Sequence, residues 1–83
     1  MTQPWYRART LLTLGTALAD IRRTTGLSQS DAAEQTRTSR PTISRLERGH
    51  PVSTATVVDL LAATRYEILL VPRGSRVTIE DPS

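Results

Sequence analysis

The sequence predicts a mainly α protein with four short helices followed by a short C-terminal β-strand. Apolar residues recur at three- and four-residue steps before residue 65, as on the buried side of amphipathic helices. Serines that can cap a helix precede three of these stretches, and glycines follow two of them. The pattern then changes to the strand-forming run "YEILLV". We therefore divide the chain into an arm (1–9), a helical domain (10–64), a strand or hairpin segment (65–80) and a tail (81–83).

The first helix is predicted from Thr10 to Thr25. Leucine or isoleucine recurs along one side of it, at Leu11, Leu14, Leu18 and Ile21. Gly26 ends this helix, because glycine readily adopts the left-handed conformation found just past a helix C-terminus. The fourth helix is predicted after Ser53, which can serve as its N-cap. Its apolar face carries Val57, Leu60, Leu61 and Thr64.

Between these two helices lie two shorter ones, joined by a tight connection. Ser28 can cap the second helix, and Asp31 follows three residues later, as in a capping box. Ser39 can cap the third helix, which ends at Gly49. Pro41 falls in its first turn, where the missing N–H of proline is tolerated. Two short helices joined in this way form a helix-turn-helix unit, in which the second helix can enter the major groove of DNA.

The third helix has two chemically different sides. Ile43 and Leu46 lie about 60° apart around its axis and define the buried direction. The opposite side carries Arg40, Pro41, Ser44, Arg45 and Arg48. Charges on a helix usually form a solvated face, but three guanidiniums beside a hydroxyl also suit the phosphates and guanine edges of DNA. The helix-turn-helix arrangement favours the second interpretation.

Composition excludes several other classes of protein. The 83 residues suffice for one small domain, and the chain contains no cysteine and one histidine, His50, so we expect no disulfide, no metal site and no cofactor. No apolar run approaches the roughly 20 residues that span a bilayer, and the N-terminus has no apolar signal core. All eleven basic residues are arginine, the net charge is +3 and the isoelectric point is about 10.6. We also find no nucleophile–base pair or phosphate-binding glycine loop, so we do not expect an enzyme or a small-molecule substrate.

The stretch "LGTALADIRRTTGLSQSDAAEQTRTSRPTISRLERG" resembles the Xre, or Cro/CI repressor-type, helix-turn-helix family. The resemblance covers roughly residues 10–64 and implies a four-helix fold like that of lambda repressor. Its most specific marks are the "R-x-x-x-GLSQ" pattern from Arg22 to Gln29, Ala33 inside the second helix, and "TISRLERG".

The resemblance also implies roles for individual residues. The base-reading positions of the family match Arg40, Pro41, Ser44 and Arg45. Gln29 matches a phosphate-binding position, and the further candidates for phosphate contact are Ser39, Thr42, Arg48 and Arg37. Arg22 and Glu47 match a structural ion pair between the first and third helices. The family usually has glycine at the Arg37 position, where a positive φ is required, so an arginine costs about 1 kcal/mol there. Either the turn differs, or the cost is accepted because Arg37 reaches a phosphate.

The C-terminal segment is similar to that of HipB-like antitoxins, in which a short strand pairs with its copy in a dimer. The corresponding residues here are Glu67, Ile68, Leu69, Leu70 and Val71. Their backbone groups need hydrogen-bond partners, which a second copy can supply. The alternative is an internal hairpin of residues 67–71 with 76–80, turned by "PRGSR". Trp5 and Tyr6 of the arm either bind a partner or cover the core.

We expect a dimeric antitoxin that neutralises a HipA-like serine/threonine kinase toxin and represses its own operon at a palindromic operator. The kinase partner is implied by the resemblance alone. The alternatives are a stand-alone repressor without a toxin, and a protein-interaction module that does not bind DNA. The expected location is the bacterial cytoplasm, at the nucleoid when DNA is bound.

Overall fold

The computed structural model describes residues 4–80, which form four α-helices. These are α1 (Leu11–Thr24), α2 (Gln29–Gln35), α3 (Arg40–Glu47) and α4 (Thr54–Ala63). The predicted mainly α fold is therefore confirmed. The first three residues of the predicted arm and the predicted tail (81–83) lie outside the described residues. No helix within residues 4–80 has the length and apolar character needed to cross a membrane.

Each helix begins at a hydroxyl side chain that accepts a hydrogen bond from the first turn. Ser28 and Asp31 form the predicted capping box, with both the Asp31 N–H to Ser28 hydroxyl and the Ser28 N–H to Asp31 carboxylate distances at 3.0 Å. Hydrogen bonding of the Asp31 carboxylate to the Ser28 backbone N–H, and to a lesser extent to the Ser28 hydroxyl, holds the pKa of Asp31 below its usual 3.8. Ser39 and Ser53 cap α3 and α4 as predicted. Thr10 caps α1, so this helix starts one residue later than the sequence pattern indicated.

The core lies where α3 packs against α1 and α2, and where α2 packs against α4. Its fully buried large side chains are Leu18, Ile43 and Leu60, one each from α1, α3 and α4. Helix α2 contributes only the small residues Ala32 and Ala33, which let the neighbouring helices approach closely. Since α3 is packed on its inner side by α1 and α2, its outer side is left to solvent.

The turn between α2 and α3 has the positive φ that the family resemblance implies. Arg37 adopts a φ of 57°, the left-handed region normally occupied by glycine. The N–H of the next residue, Thr38, donates to the carbonyl oxygen of Ala33 at 2.9 Å and closes the end of α2. The turn therefore keeps its shape with an arginine in place of glycine, and the first of the two explanations, a different turn, is wrong.

The segment after α4 has no regular secondary structure, and no hydrogen-bonded strand forms within residues 66–80 of the described chain. The turn predicted at "PRGS" is present, with the Ser75 N–H donating to the Pro72 carbonyl oxygen at 3.1 Å and Gly74 at a φ of 86°. The alternative of an internal hairpin of 67–71 with 76–80 is not formed, because no backbone hydrogen bond joins these two stretches. The pairing of residues 67–71 across a dimer stays a prediction.

The N-terminal arm contacts α1 and the residues that follow α4. The Tyr66 hydroxyl after α4 donates to the Pro4 carbonyl oxygen at 2.8 Å, and the rings of Tyr6 and Tyr66 lie 6.3 Å apart. The Tyr6 hydroxyl donates to a carboxylate oxygen of Asp20 on α1, which raises the pKa of Tyr6 to about 12. Trp5 stays half exposed, with the Arg7 guanidinium 6.0 Å from its ring centre. Tyr6 thus covers part of the domain, whereas Trp5 is available to a partner.

Candidate nucleic-acid interface

The orientation of α3 is set by its two buried residues and by its cap. Ile43 is fully buried and Leu46 is 3% exposed, which fixes the rotation of the helix about its axis. The Ser39 hydroxyl accepts from the Thr42 N–H at 3.3 Å and lies 2.8 Å from the Thr42 hydroxyl. With the inner side fixed in this way, the basic side of α3 points away from the core.

The outer side of α3 forms one wall of an open groove of about 410 Å³. The four predicted base-reading residues line it together with one phosphate candidate from α2 and one from the end of α3: Gln29, Arg40, Pro41, Ser44, Arg45 and Arg48. Gln29 is thus brought to one surface with residues that lie 11 to 19 positions after it in the sequence. We call this surface, defined by these six residues, the α3 groove.

The groove is anchored to α1 by the predicted ion pair. The Arg22 Nε lies 2.5 Å from Glu47 Oε2, and Arg22 Nη2 lies 3.1 Å from Glu47 Oε1. The side chains are 9% and 6% exposed, respectively, so each charge depends on the other for compensation. Arg22 Nη1 also donates to the Leu27 carbonyl oxygen at 2.8 Å. The pair therefore ties α1, the α1–α2 loop and the end of α3 into one unit.

Gln29 takes part in the same network, which the sequence did not indicate. Its Nε2 donates to Glu47 Oε1 at 3.1 Å. One amide hydrogen of the predicted phosphate-binding residue is thus engaged within the protein. The Glu47 carboxylate consequently accepts hydrogen bonds from Arg22, its partner in the ion pair, and from Gln29, which lines the groove. A glutamine 18 positions from a glutamate gives no periodic signal that could have revealed this bond.

The three arginines of the groove differ in how far the protein restrains them. Arg48 Nε donates to the Ser44 carbonyl oxygen of its own helix at 3.3 Å, which holds it at the C-terminal end of α3. Arg45 reaches the Pro51 carbonyl oxygen at 3.5 Å, the limit of a hydrogen bond. Arg40, the first residue of α3, is exposed and makes no side-chain hydrogen bond within residues 4–80. The N-terminal end of the groove therefore offers the least restrained guanidinium.

Arg37 is not brought to the α3 groove. It lines a separate concavity of about 560 Å³ between the end of α2 and α4, together with Gln35, Thr36, Asp59, Ala62 and Ala63. Its predicted contact with a DNA phosphate would have to be made outside the α3 groove. Ser39 and Thr42 also do not line the groove, and their hydroxyls are occupied by the cap. The phosphate contacts of these three residues stay predictions.

The fold and the α3 groove together define a DNA-binding helix-turn-helix regulator. A profile of the family described as helix-turn-helix domain matches residues 13–67, and the chain belongs to this family, within its Xre type. No curated protein matches the chain significantly.

Solved structures with this fold include two kinds of relative. The restriction-modification controller protein C.AhdI from Aeromonas hydrophila is 31% identical, over 69% of this chain and 88% of its own, with a TM-score of 0.64. HipB in a complex with an O2 20mer is 18% identical, over 84% of this chain and 99% of its own, with a TM-score of 0.75. A HipA-HipB-O2-O3 complex gives 20% identity and a TM-score of 0.73, over 83% of this chain and 99% of the matched chain.

Proposed function

We propose that this protein is a dimeric operator-binding repressor that also serves as the antitoxin of a HipA-like serine/threonine kinase. The observation that carries the proposal is the exposed, unpaired segment 67–71 attached to a helix-turn-helix domain. The role requires neither catalysis nor a cofactor. It places the protein in the bacterial cytoplasm, at the nucleoid when DNA is bound.

Segment 67–71 has the properties of a strand without its partner. Its apolar side chains are exposed, with Leu69 at 65% and Leu70 at 92%. None of its backbone groups makes a backbone hydrogen bond within residues 4–80. Both deficits would be removed if two copies paired along this segment, since pairing supplies ladder hydrogen bonds and covers apolar surface. Two exposed segments of identical sequence are self-complementary around a two-fold axis.

A two-fold dimer would contact a longer DNA sequence than one short helix can, because each copy contributes its own recognition helix. Each copy would present its α3 groove to one half-site, and the half-sites would lie about one helical turn, roughly 34–36 Å, apart on the DNA. Two-fold symmetry of the protein implies a palindromic operator. Arg48 and the other phosphate candidates would add affinity that does not depend on sequence.

The kinase partner is proposed from the extent of the fold similarity. The match to HipB includes nearly all of HipB and more than four-fifths of this chain, so it extends further than the match to the controller protein. One of these matches comes from a complex that contains HipA. A toxin bound away from the α3 groove would leave the groove available to DNA.

A stand-alone regulator is the second candidate, and a specific observation favours it. The controller protein C.AhdI is more similar in sequence, at 31% identity, than HipB is at 18%. In this case segment 67–71 would serve dimerisation alone, and no kinase would be bound.

Co-purification distinguishes the two candidates. The chain is expressed without a tag beside the tagged product of its neighbouring gene, and the captured complex is weighed by native mass spectrometry. A complex with two copies of this chain and a kinase-like neighbour supports the antitoxin. A lone dimer that binds its own promoter DNA supports the stand-alone regulator, and a monomer at micromolar concentration contradicts the dimer in both.

A further inference from the structure

The α3 side chains that can read a base through two hydrogen bonds are suited to one kind of base pair, G·C. Asparagine and glutamine read adenine through two hydrogen bonds, and arginine reads guanine in the same way. Helix α3 contains no asparagine or glutamine, and its exposed side offers three arginines, a serine and a proline. Reading of adenine through two hydrogen bonds would therefore have to come from another element of the groove.

The one amide in the groove is engaged elsewhere. Gln29 uses Nε2 to donate to Glu47 Oε1 at 3.1 Å, and an adenine contact needs both the donor and the acceptor of the amide. Moving Gln29 to a base would break that bond and remove a donor from the carboxylate that also balances Arg22. The amide is thus held as part of the groove wall.

Arg40 has the opposite character. It stands at the N-terminal end of α3, the end from which recognition helices contact bases. It is exposed, and no acceptor holds its guanidinium within the described chain. Its neighbour Pro41 has no donor and offers only apolar contact, which suits a thymine methyl group.

We propose that Arg40 reads a guanine through its O6 and N7, so that each operator half-site contains a G·C pair at the Arg40 position and no base pair selected by an adenine-reading amide. This inference rests on the proposed DNA-binding function. It concerns which bases are selected, whereas that function concerns only whether a specific operator exists.

Selection from a randomised duplex library tests the inference with the full-length chain. We compare the unchanged protein with Arg40→Gln and with Arg23→Gln, an exposed arginine on α1 outside the groove that serves as the matched control. The unchanged protein and Arg23→Gln should enrich the same half-site, with guanine at one position. Arg40→Gln should change that position to adenine and leave the others as they were.

A second measurement does not depend on how the variant folds. The guanine at the Arg40 position is replaced in the selected duplex by 7-deazaguanine, which lacks the N7 acceptor. Binding of the unchanged protein should weaken by roughly 5-fold or more. The same replacement at a guanine outside the half-site should change nothing.

The outcomes distinguish failure of the guanine-reading inference from failure of the DNA-binding function. A selected half-site without guanine at any position that Arg40→Gln alters overturns the inference and leaves the DNA-binding function in place. Full-affinity binding to the 7-deazaguanine duplex overturns it as well. If the unchanged protein enriches no sequence at all, both the inference and sequence-specific binding are wrong.

Discussion

Gly15 of α1 lies directly against the carbonyl oxygen of Leu46 in α3. A Cβ at this glycine would overlap that oxygen and lie 3.0 Å from the carbonyl carbon of Glu47. Both atoms belong to the backbone, so no side chain can move aside to make room. Glycine therefore sets how closely α1 approaches the helix that carries the α3 groove.

Replacing Gly15 with alanine should destabilise the fold. In an open helix the change would add about 1 kcal/mol of stability, because alanine is the better helix former. Here the overlap should outweigh that gain and lower the free energy of unfolding by roughly 1–3 kcal/mol. Urea unfolding measures whether the free energy of unfolding rises or falls. The exposed neighbour Thr16→Ala should stay within about 0.5 kcal/mol of the unchanged protein, and a stabilised Gly15→Ala would contradict the close approach.

Removing either partner of the Arg22–Glu47 pair should leave an uncompensated charge in a largely buried position. We expect Arg22→Ala to lower the free energy of unfolding by about 3–5 kcal/mol, enough to unfold much of so small a domain. Exposed Arg23→Ala on the same helix should change it by less than about 0.5 kcal/mol. Circular dichroism with urea measures both variants. Loss of DNA binding by a fully folded Arg22→Ala would assign Arg22 to the interface instead.

Arg37 should reveal a backbone cost at the turn between α2 and α3. Arg37→Gly and Arg37→Ala both remove the guanidinium, but only alanine keeps a Cβ at a φ of 57°. We expect the glycine variant to be more stable than the alanine variant by about 1 kcal/mol. The difference in unfolding free energy between the two variants reports the cost of the positive φ, because both variants lack the guanidinium. Equal stabilities would mean that the turn relaxes without strain.

Arg48 should contribute affinity without sequence preference, because it is held at the C-terminal end of α3. Arg48→Ala should weaken binding to all duplexes alike and reduce the slope of log affinity against log salt by about 1 per site engaged. Titrations of operator and scrambled duplexes at several salt concentrations measure both effects. Arg37→Ala, which lies outside the groove, should reduce the slope less. A loss confined to the operator duplex would make Arg48 a base-reading residue.

The capping box of α2 should make stability depend on pH in the acid range. Because folding lowers the pKa of Asp31, its contribution is fully present above the pKa of the unfolded chain. It is lost as pH falls through the lower pKa of the folded chain. The difference in melting temperature between the unchanged protein and Asp31→Asn should therefore narrow below about pH 3.8. In a Ser28→Ala background, which lacks the partner hydroxyl, the same substitution should have a smaller effect.

Local signals made most of the fold predictable. Ser28, Ser39 and Ser53 mark helix starts through bonds to residues two or three positions away, so the caps can be read from short stretches. The family resemblance implies a positive φ at Arg37, although the arginine there left a different turn open. By contrast, the hydrogen bond between Gln29 and Glu47 and the contact of Gly15 with α3 join distant positions. Such pairs depend on how helices cross, which no periodicity reports.

The C-terminal segment shows a different limit of prediction from sequence. Residues 67–71 carry the composition of a strand, and the prediction of a strand was based on that composition. A strand also requires a neighbour, and the single chain supplies none within its described residues. Composition can thus indicate what a segment is suited for, while whether a strand forms depends on a neighbour that this composition does not specify.

Every positive charge around the α3 groove is carried by arginine, and the chain contains no lysine. Lysine acetylation, which removes charge from many basic surfaces, therefore has no side-chain target in this protein. A guanidinium also keeps its charge across the acidity range of living cells. The positive charge of this face is consequently the same at any cellular pH. Under the proposed function, how often the operator is occupied then depends on the number of chains present and on what else binds them.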